Sequence, residues 1–187
     1  DSLSNSLLNF LYHSGFYRIY FWLHREQILF LMVHGVADQN QRGKWLPLRT
    51  QIYRDQFDKT VDLLSRYFTY ISFSDAIAIL EGKKPPVQNG LVITFDDGYR
   101  NTIPAIREFY GRFKVAPISF VTTENLTSGS PFWFDRIDYA LQQLESDFNW
   151  RTEGIDFKFR VDTRDHLKSD FHTFRNSVMS SFRNDTK

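Results

Sequence analysis

Leu91-Val92-Ile93-Thr94-Phe95-Asp96-Asp97-Gly98-Tyr99 is the stretch on which the reading of this chain turns. Leu91 to Phe95 form an unbroken apolar or β-branched run, the pattern of a strand buried on both faces. The run stops at two adjacent carboxylates and a glycine, and strand ends in α/β folds commonly hold ligands and metals. Side by side, two carboxylates repel each other unless a cation or a shared proton relieves them. An Asp-Gly pair is also an ordinary turn former, so spacing alone leaves both readings open. The apolar block directly before it weighs toward chemistry. Gly98 permits a sharp bend that turns both carboxylates toward one cavity, although neighbours on a straight strand point to opposite sides. One carboxylate can then ligate a metal while its neighbour accepts a proton from water held there.

Outward from this stretch, the chain alternates strands and helices. Upstream, Ile28 to Val33 is a second continuous apolar run, ending at His34-Gly35, and reads as a buried strand with its tip at Val33 or His34. Between the two runs, Ile52, Tyr53, Phe57, Val61, Leu64 and Phe68 suit a helix over 49–67, and 70–73 a short strand. Ser74 is a plausible N-cap for a helix through Leu80, closed by Gly82. Downstream, Asn101 is positioned to cap a helix to about Tyr110 that tolerates Pro104 in its first turn and stops at Gly111. Ala116 to Thr122 is the next strand, and Pro131 opens a helix through Trp133, Ile137, Leu141 and Leu144. Further on, 155–161 alternates like a half-exposed strand and 163–182 is helical. At the other end, Leu3, Leu7, Leu8 and Leu11 recur at helical spacing, 16–24 forms a second helical segment, and 38–48 is a loop. This alternation predicts parallel strands with helices packed outside, in an open sheet or a barrel. The expected organisation is a helical segment over 1–27, the main α/β part over 28–148, and an appended segment over 149–187.

Composition narrows the function classes. The chain has 187 residues, 42% of them hydrophobic, enough for one domain with a sizeable core. Lys and Arg total 23 against 22 for Asp and Glu, so no global field recruits nucleic acid or an anionic membrane. There are no cysteines, which excludes disulfides, thiolate zinc sites and cysteine nucleophiles. No window is apolar for long enough to span a membrane: 16–36 comes nearest, and Arg18, His24, Arg25 and Glu26 interrupt it. The opening Asp1-Ser2-Leu3-Ser4 lacks an initiator Met and a signal-peptide layout, so an internal piece of a longer reading frame is expected. Aromatic residues reach 17% and supply flat faces for core packing or for stacking on sugar rings.

Thr94-Phe95-Asp96-Asp97-Gly98-Tyr99 resembles the first signature of the polysaccharide deacetylase family, the NodB-type carbohydrate esterases. Leu31-Met32-Val33-His34 resembles that family's early strand ending in Tyr-His, with Val33 in place of the Tyr. Ile118 to Thr123 resembles its Ala-Thr-Phe-Phe-Val strand, and Pro131 to Ile137 a segment found in a subset with a long insertion. The likeness runs from about His34 to Leu141. It implies an irregular (β/α) barrel of parallel strands with outer helices, present here only in its first part. It also implies hydrolysis of N-acetyl or O-acetyl groups on a polysaccharide or lipid-linked sugar, with Asp96 as general base and Asp97 as ligand of a divalent metal, usually zinc. Three residues are candidates for touching substrate. His34 stands at a strand tip, where it either faces the cavity or is simply hydrogen-bonded in the fold. Tyr99 either contacts substrate or closes the turn, and Trp133 either lines a sugar groove or packs in a core.

The chain departs from the family downstream. The family's His-[Ser/Thr]-x-x-His-Pro segment, which completes its metal site, has no counterpart, and His166 and His172 lie six apart, off a shared helix face. The Arg-x-Pro-Tyr segment and the late acid histidine are missing too. The expectation is therefore a chain that ends inside the insertion and shows no turnover by itself. Two other readings stand beside this one: a non-catalytic sugar-binding relative, and a magnesium-dependent phosphotransfer domain. The second needs acidic or basic partners where His34 and Thr122-Thr123 occupy the strand tips.

Overall fold

A computed structural model of the chain describes residues 13–15, 19, 22–38, 47–49, 51–152 and 155–184. The expected helix at Leu3 to Leu11 lies outside them, as do most of the 38–48 loop and part of the 16–24 segment. Chain contacts divide into two compact units, 1–36 with 53–121 and 37–52 with 122–187.

The first unit is built on the central strand. Gly90–Phe95 is β5, and all six of its residues are buried. It runs parallel to β1, Ile28–Val33, in a register from Ile28 opposite Gly90 to Val33 opposite Phe95. On its other side β5 pairs in parallel with two short strands in succession, β4 (Thr69–Tyr70) along its first half and β6 (Ile118–Ser119) along its second. Another ladder joins β2, Val36–Ala37, to β3, Ile52–Tyr53.

Helices cover the sheet because apolar side chains alternate across it. On one face, Phe95 meets Phe57 of α1 (Arg54–Leu64), ring centroids 5.7 Å apart. Ala105 and Phe109 of α3 (Ile103–Phe113) are buried, and Tyr70 meets Phe109 edge-on at 4.8 Å. Arg54 and Arg112 tie α1 to α3 through ion pairs with Glu108 and Asp62. On the opposite face, Val92 packs with Ile71 and with Ala76 of α2 (Phe73–Leu80).

The fold is thus α/β with parallel strands in a sheet, flanked by helices. The four parallel strands form an open sheet, and no barrel closes among the described residues.

Several boundaries differ from the sequence-based expectation for local reasons. The cap of α2 is Ser72, whose hydroxyl accepts from Asp75 N at 3.1 Å, while the Ser74 hydroxyl bonds Ser72. A 3-10 turn at Arg100–Thr102 precedes α3, so Asn101 sits inside that turn rather than at the helix cap. Gly111 does not stop α3, which runs on to Lys114 in a left-handed conformation, φ 56°. Ser119 and not Thr122 ends β6.

The second unit contains α4 (Thr123–Ser128), α5 (Trp133–Leu141), the antiparallel strands β7 (Phe148–Thr152) and β8 (Ile155–Phe159), and α6 (Arg164–Asn184). Cross-strand pairs Phe148–Phe159 and Trp150–Phe157 set aromatic rings on one face of the hairpin, where three of them reach Phe174 of α6. Leu48, Leu141, Leu167 and Phe171 complete that core. Arg160 N and its guanidinium both bond Asp170, fastening β8 to α6. Asp138 is fully buried and accepts from Leu48 N at 2.7 Å, which holds the 47–49 segment to α5. Among the described residues, no helix is long and apolar enough to cross a membrane.

Candidate active site at the end of the central strand

Asp96 follows β5 directly and stays in register, its N–H donating to Val33 O at 2.9 Å. The carboxylate is half-buried, and its Oδ1 atom is shut away from solvent without a hydrogen-bond partner. Buried polar atoms are nearly always bonded, so an orphaned carboxylate oxygen marks a place suited to a proton or a cation.

At Asp97 the backbone leaves the strand. Asp97 has φ 70° and Gly98 φ 76°, two left-handed residues in succession. That conformation is strained for any residue with a Cβ, though Asp is among those that tolerate it best. Here it interrupts the side-to-side alternation of a straight strand. Gly98 has a second constraint: a Cβ there would lie 2.7 Å from Val121 Cγ1. The Val121 side chain therefore leaves room for glycine only.

The other candidates distribute as follows. His34 is exposed and comes one residue after β1, and because Val33 pairs with Phe95 it stands beside Asp96 at the same edge of the sheet. Phe120 N donates to Phe95 O at 2.8 Å, so the end of β6 flanks the same edge from the other side. Tyr99 is half-buried, and its carbonyl accepts from Thr102 N at 3.0 Å and Thr102 Oγ1 at 2.6 Å. The backbone of Tyr99 thus closes the turn. Trp133 belongs to the second unit, at the start of α5, and is 38% exposed. Strand register puts His34 beside Asp96, and Tyr99 follows two residues after Asp97; Trp133 belongs to the second unit.

Sequence reasoning missed two features of this edge. The steric demand of Val121 on Gly98 depends on contact across strands, and no local signal announces it. The isolation of Asp96 Oδ1 is likewise a matter of packing. Of the two downstream histidines, His166 Nδ1 pairs with Asp162 at 2.9 Å, whereas the His172 imidazole is held below its ordinary value by burial, then by Lys168 and Arg175. Among the described residues, no three His, Asp or Glu side chains gather as a metal cluster.

No family model matches the chain, and no curated protein matches it. Among solved structures, a de-N-acetylase from Aggregatibacter actinomycetemcomitans is similar at TM-score 0.49 and 14% identity, over 73% of this chain and 64% of that one. This chain therefore spans less than two thirds of that structure's length.

Proposed function

We propose that the chain carries the first catalytic motif of a metal-dependent deacetylase acting on N-acetylated or O-acetylated glycans, on an incomplete (β/α) barrel of the polysaccharide deacetylase kind. Asp96 is the general base and Asp97 the carboxylate offered to a divalent metal, zinc by preference. His34 and Tyr99 line the substrate side. The observation that carries this reading is the orphaned Oδ1 of Asp96, next to a residue turned out of the strand by its φ of 70°. A carboxylate oxygen without a donor has a lone pair to offer a water, the contact a base makes in amide or ester hydrolysis. Zinc, when bound, polarises an acyl carbonyl and acidifies water. The described residues offer Asp97 to it and do not complete a site, since no third donor joins the pair.

Acetate release tests the reading. In the full-length protein supplied with zinc, Asp96→Asn and Asp97→Asn should each slow release from an N-acetylated glycan by about a hundredfold or more. The 187-residue chain alone should release none. Full activity in either variant would remove the aspartates from the chemistry. A second reading, a sugar-binding relative without turnover, predicts no acetate from the full-length protein under any metal.

A further inference from the structure

The second unit carries a concave surface that the aspartate centre does not use. A cavity of about 520 Å³ lies along one stripe of α5 and the start of β7, lined among others by Trp133, Arg136, Ile137, Leu144, Phe148 and Trp150. On α5 these positions follow helical spacing from Trp133, so they share one face. The volume falls in the range of ordinary small-molecule sites, which are mostly apolar with a few placed polar groups. Arg136 is that polar group. It is exposed, and among the described residues no carboxylate lies within ion-pair distance of it. Asp135, the residue before it, is 8% exposed, so the two neighbours are sorted to opposite environments.

A second hollow of about 410 Å³ adjoins the first through Arg136 and is lined by Pro131, Asp135 and Tyr139 as well. The rings at these hollows are not sealed in a core: Trp133 is 38%, Phe148 40% and Tyr139 55% exposed. Trp133 is braced by Phe134 in a T-shaped contact, centroids 5.6 Å apart. A row of braced, open aromatic rings on two adjoining hollows suits a ligand made of successive rings better than one compact molecule. The single guanidinium between them is complementary to an anionic group and matches a carboxylate in a two-point fork.

We infer that this face of the second unit binds an acidic glycan, its sugar rings stacked on Trp133 and its neighbours and a uronate carboxylate held by Arg136. The choice of a glycan rests on the deacetylase reading above; the requirement for an anion rests on Arg136 alone.

The test is a titration followed by tryptophan fluorescence, since two of the chain's four tryptophans line the cavity. A short oligogalacturonate should give a saturable change, and a neutral cello-oligosaccharide a much weaker one. Arg136→Gln, an exposed change that leaves the fold intact, should weaken oligogalacturonate binding about tenfold and leave the neutral sugar unaffected. Trp133→Leu should weaken both. Absence of saturable oligogalacturonate binding would overturn the inference, as would equal oligogalacturonate affinity in Arg136→Gln. Because the readout is binding, failure of acetate release with intact oligogalacturonate binding would count against the deacetylase reading only.

Discussion

Gly98 shows how much one residue can carry. Its φ of 76° lies where a side chain is strained, and a Cβ would stand 2.7 Å from Val121 Cγ1. Gly98→Ala should destabilise the protein by about 1–3 kcal/mol, read from the denaturant midpoint. Adding Val121→Ala to it should recover part of that loss and not all, because the second change relieves the contact and leaves the backbone strain. An unchanged midpoint in Gly98→Ala would mean that the turn is not held as described. Asp97 bears a similar backbone conformation at φ 70°, and a residue kept in such a state is a common mark of a functional position.

Individual elements show where local rules were sufficient and where they failed. Gly111 sits within α3, with no heavy atom within 4 Å of a Cβ built there. Gly111→Ala should therefore stabilise the protein by about 0.5–1 kcal/mol, since alanine loses less backbone entropy on entering a helix. A lowered melting temperature would show that α3 ends at Gly111 in solution. In the second unit, Asp170 receives both the backbone N–H and the guanidinium of Arg160, and those bonds hold its carboxyl well below the usual range. Asp170→Asn gives up the charge-assisted bonds and should cost about 1–3 kcal/mol in equilibrium unfolding. If the loss were absent, the hairpin would have to be held to α6 by aromatic packing alone.

At the scale of the whole molecule, stability should respond to pH in separate windows. Burial, then Lys168 and Arg175, hold the His172 imidazole below its ordinary 6.5, so the unfolded chain takes up that proton first. Stability present above pH 6.5 is then lost as pH falls toward the lowered value. Asp75, Asp147, Asp162 and Asp170 are all held below 3.8, chiefly by hydrogen bonds from Lys84, Lys158, His166 and Arg160 respectively. Their contribution is lost in a lower, acid window. On the alkaline side, burial pushes the Tyr70 phenol to about 12, so stability falls as pH rises above 10. Melting temperatures taken across these ranges should show the upper acid step vanish in His172→Gln while the lower one stays. Retention of the upper step would assign it to another group.

The apolar runs at 28–33 and 91–95 were enough to foresee the parallel strand pair at the heart of the first unit. Burial on both faces, which demands a continuously apolar strand, holds for β5. In contrast, β1 buries only Val33 and leaves Leu29, Phe30 and Met32 exposed, so its run marked a strand and the expectation of burial there was wrong. The abrupt stop at Asp96 and Asp97 was legible for the same reason, because charge ends burial. Helix limits were read less well: Ser72 caps where Ser74 was expected, and Gly111 lies inside a helix it was expected to stop. Caps depend on which of several nearby hydroxyls meets a free N–H, and spacing does not choose among them. The hairpin strand β7 was missed although Phe148 and Trp150 alternate with polar residues, since its partner supplies half of the apolar face. What required the tertiary structure was everything set by contact across the chain. Val121 closes the space at Gly98, and packing at the end of the sheet isolates one oxygen of Asp96. A linear pattern records which side chains avoid water; only packing decides which of them meet.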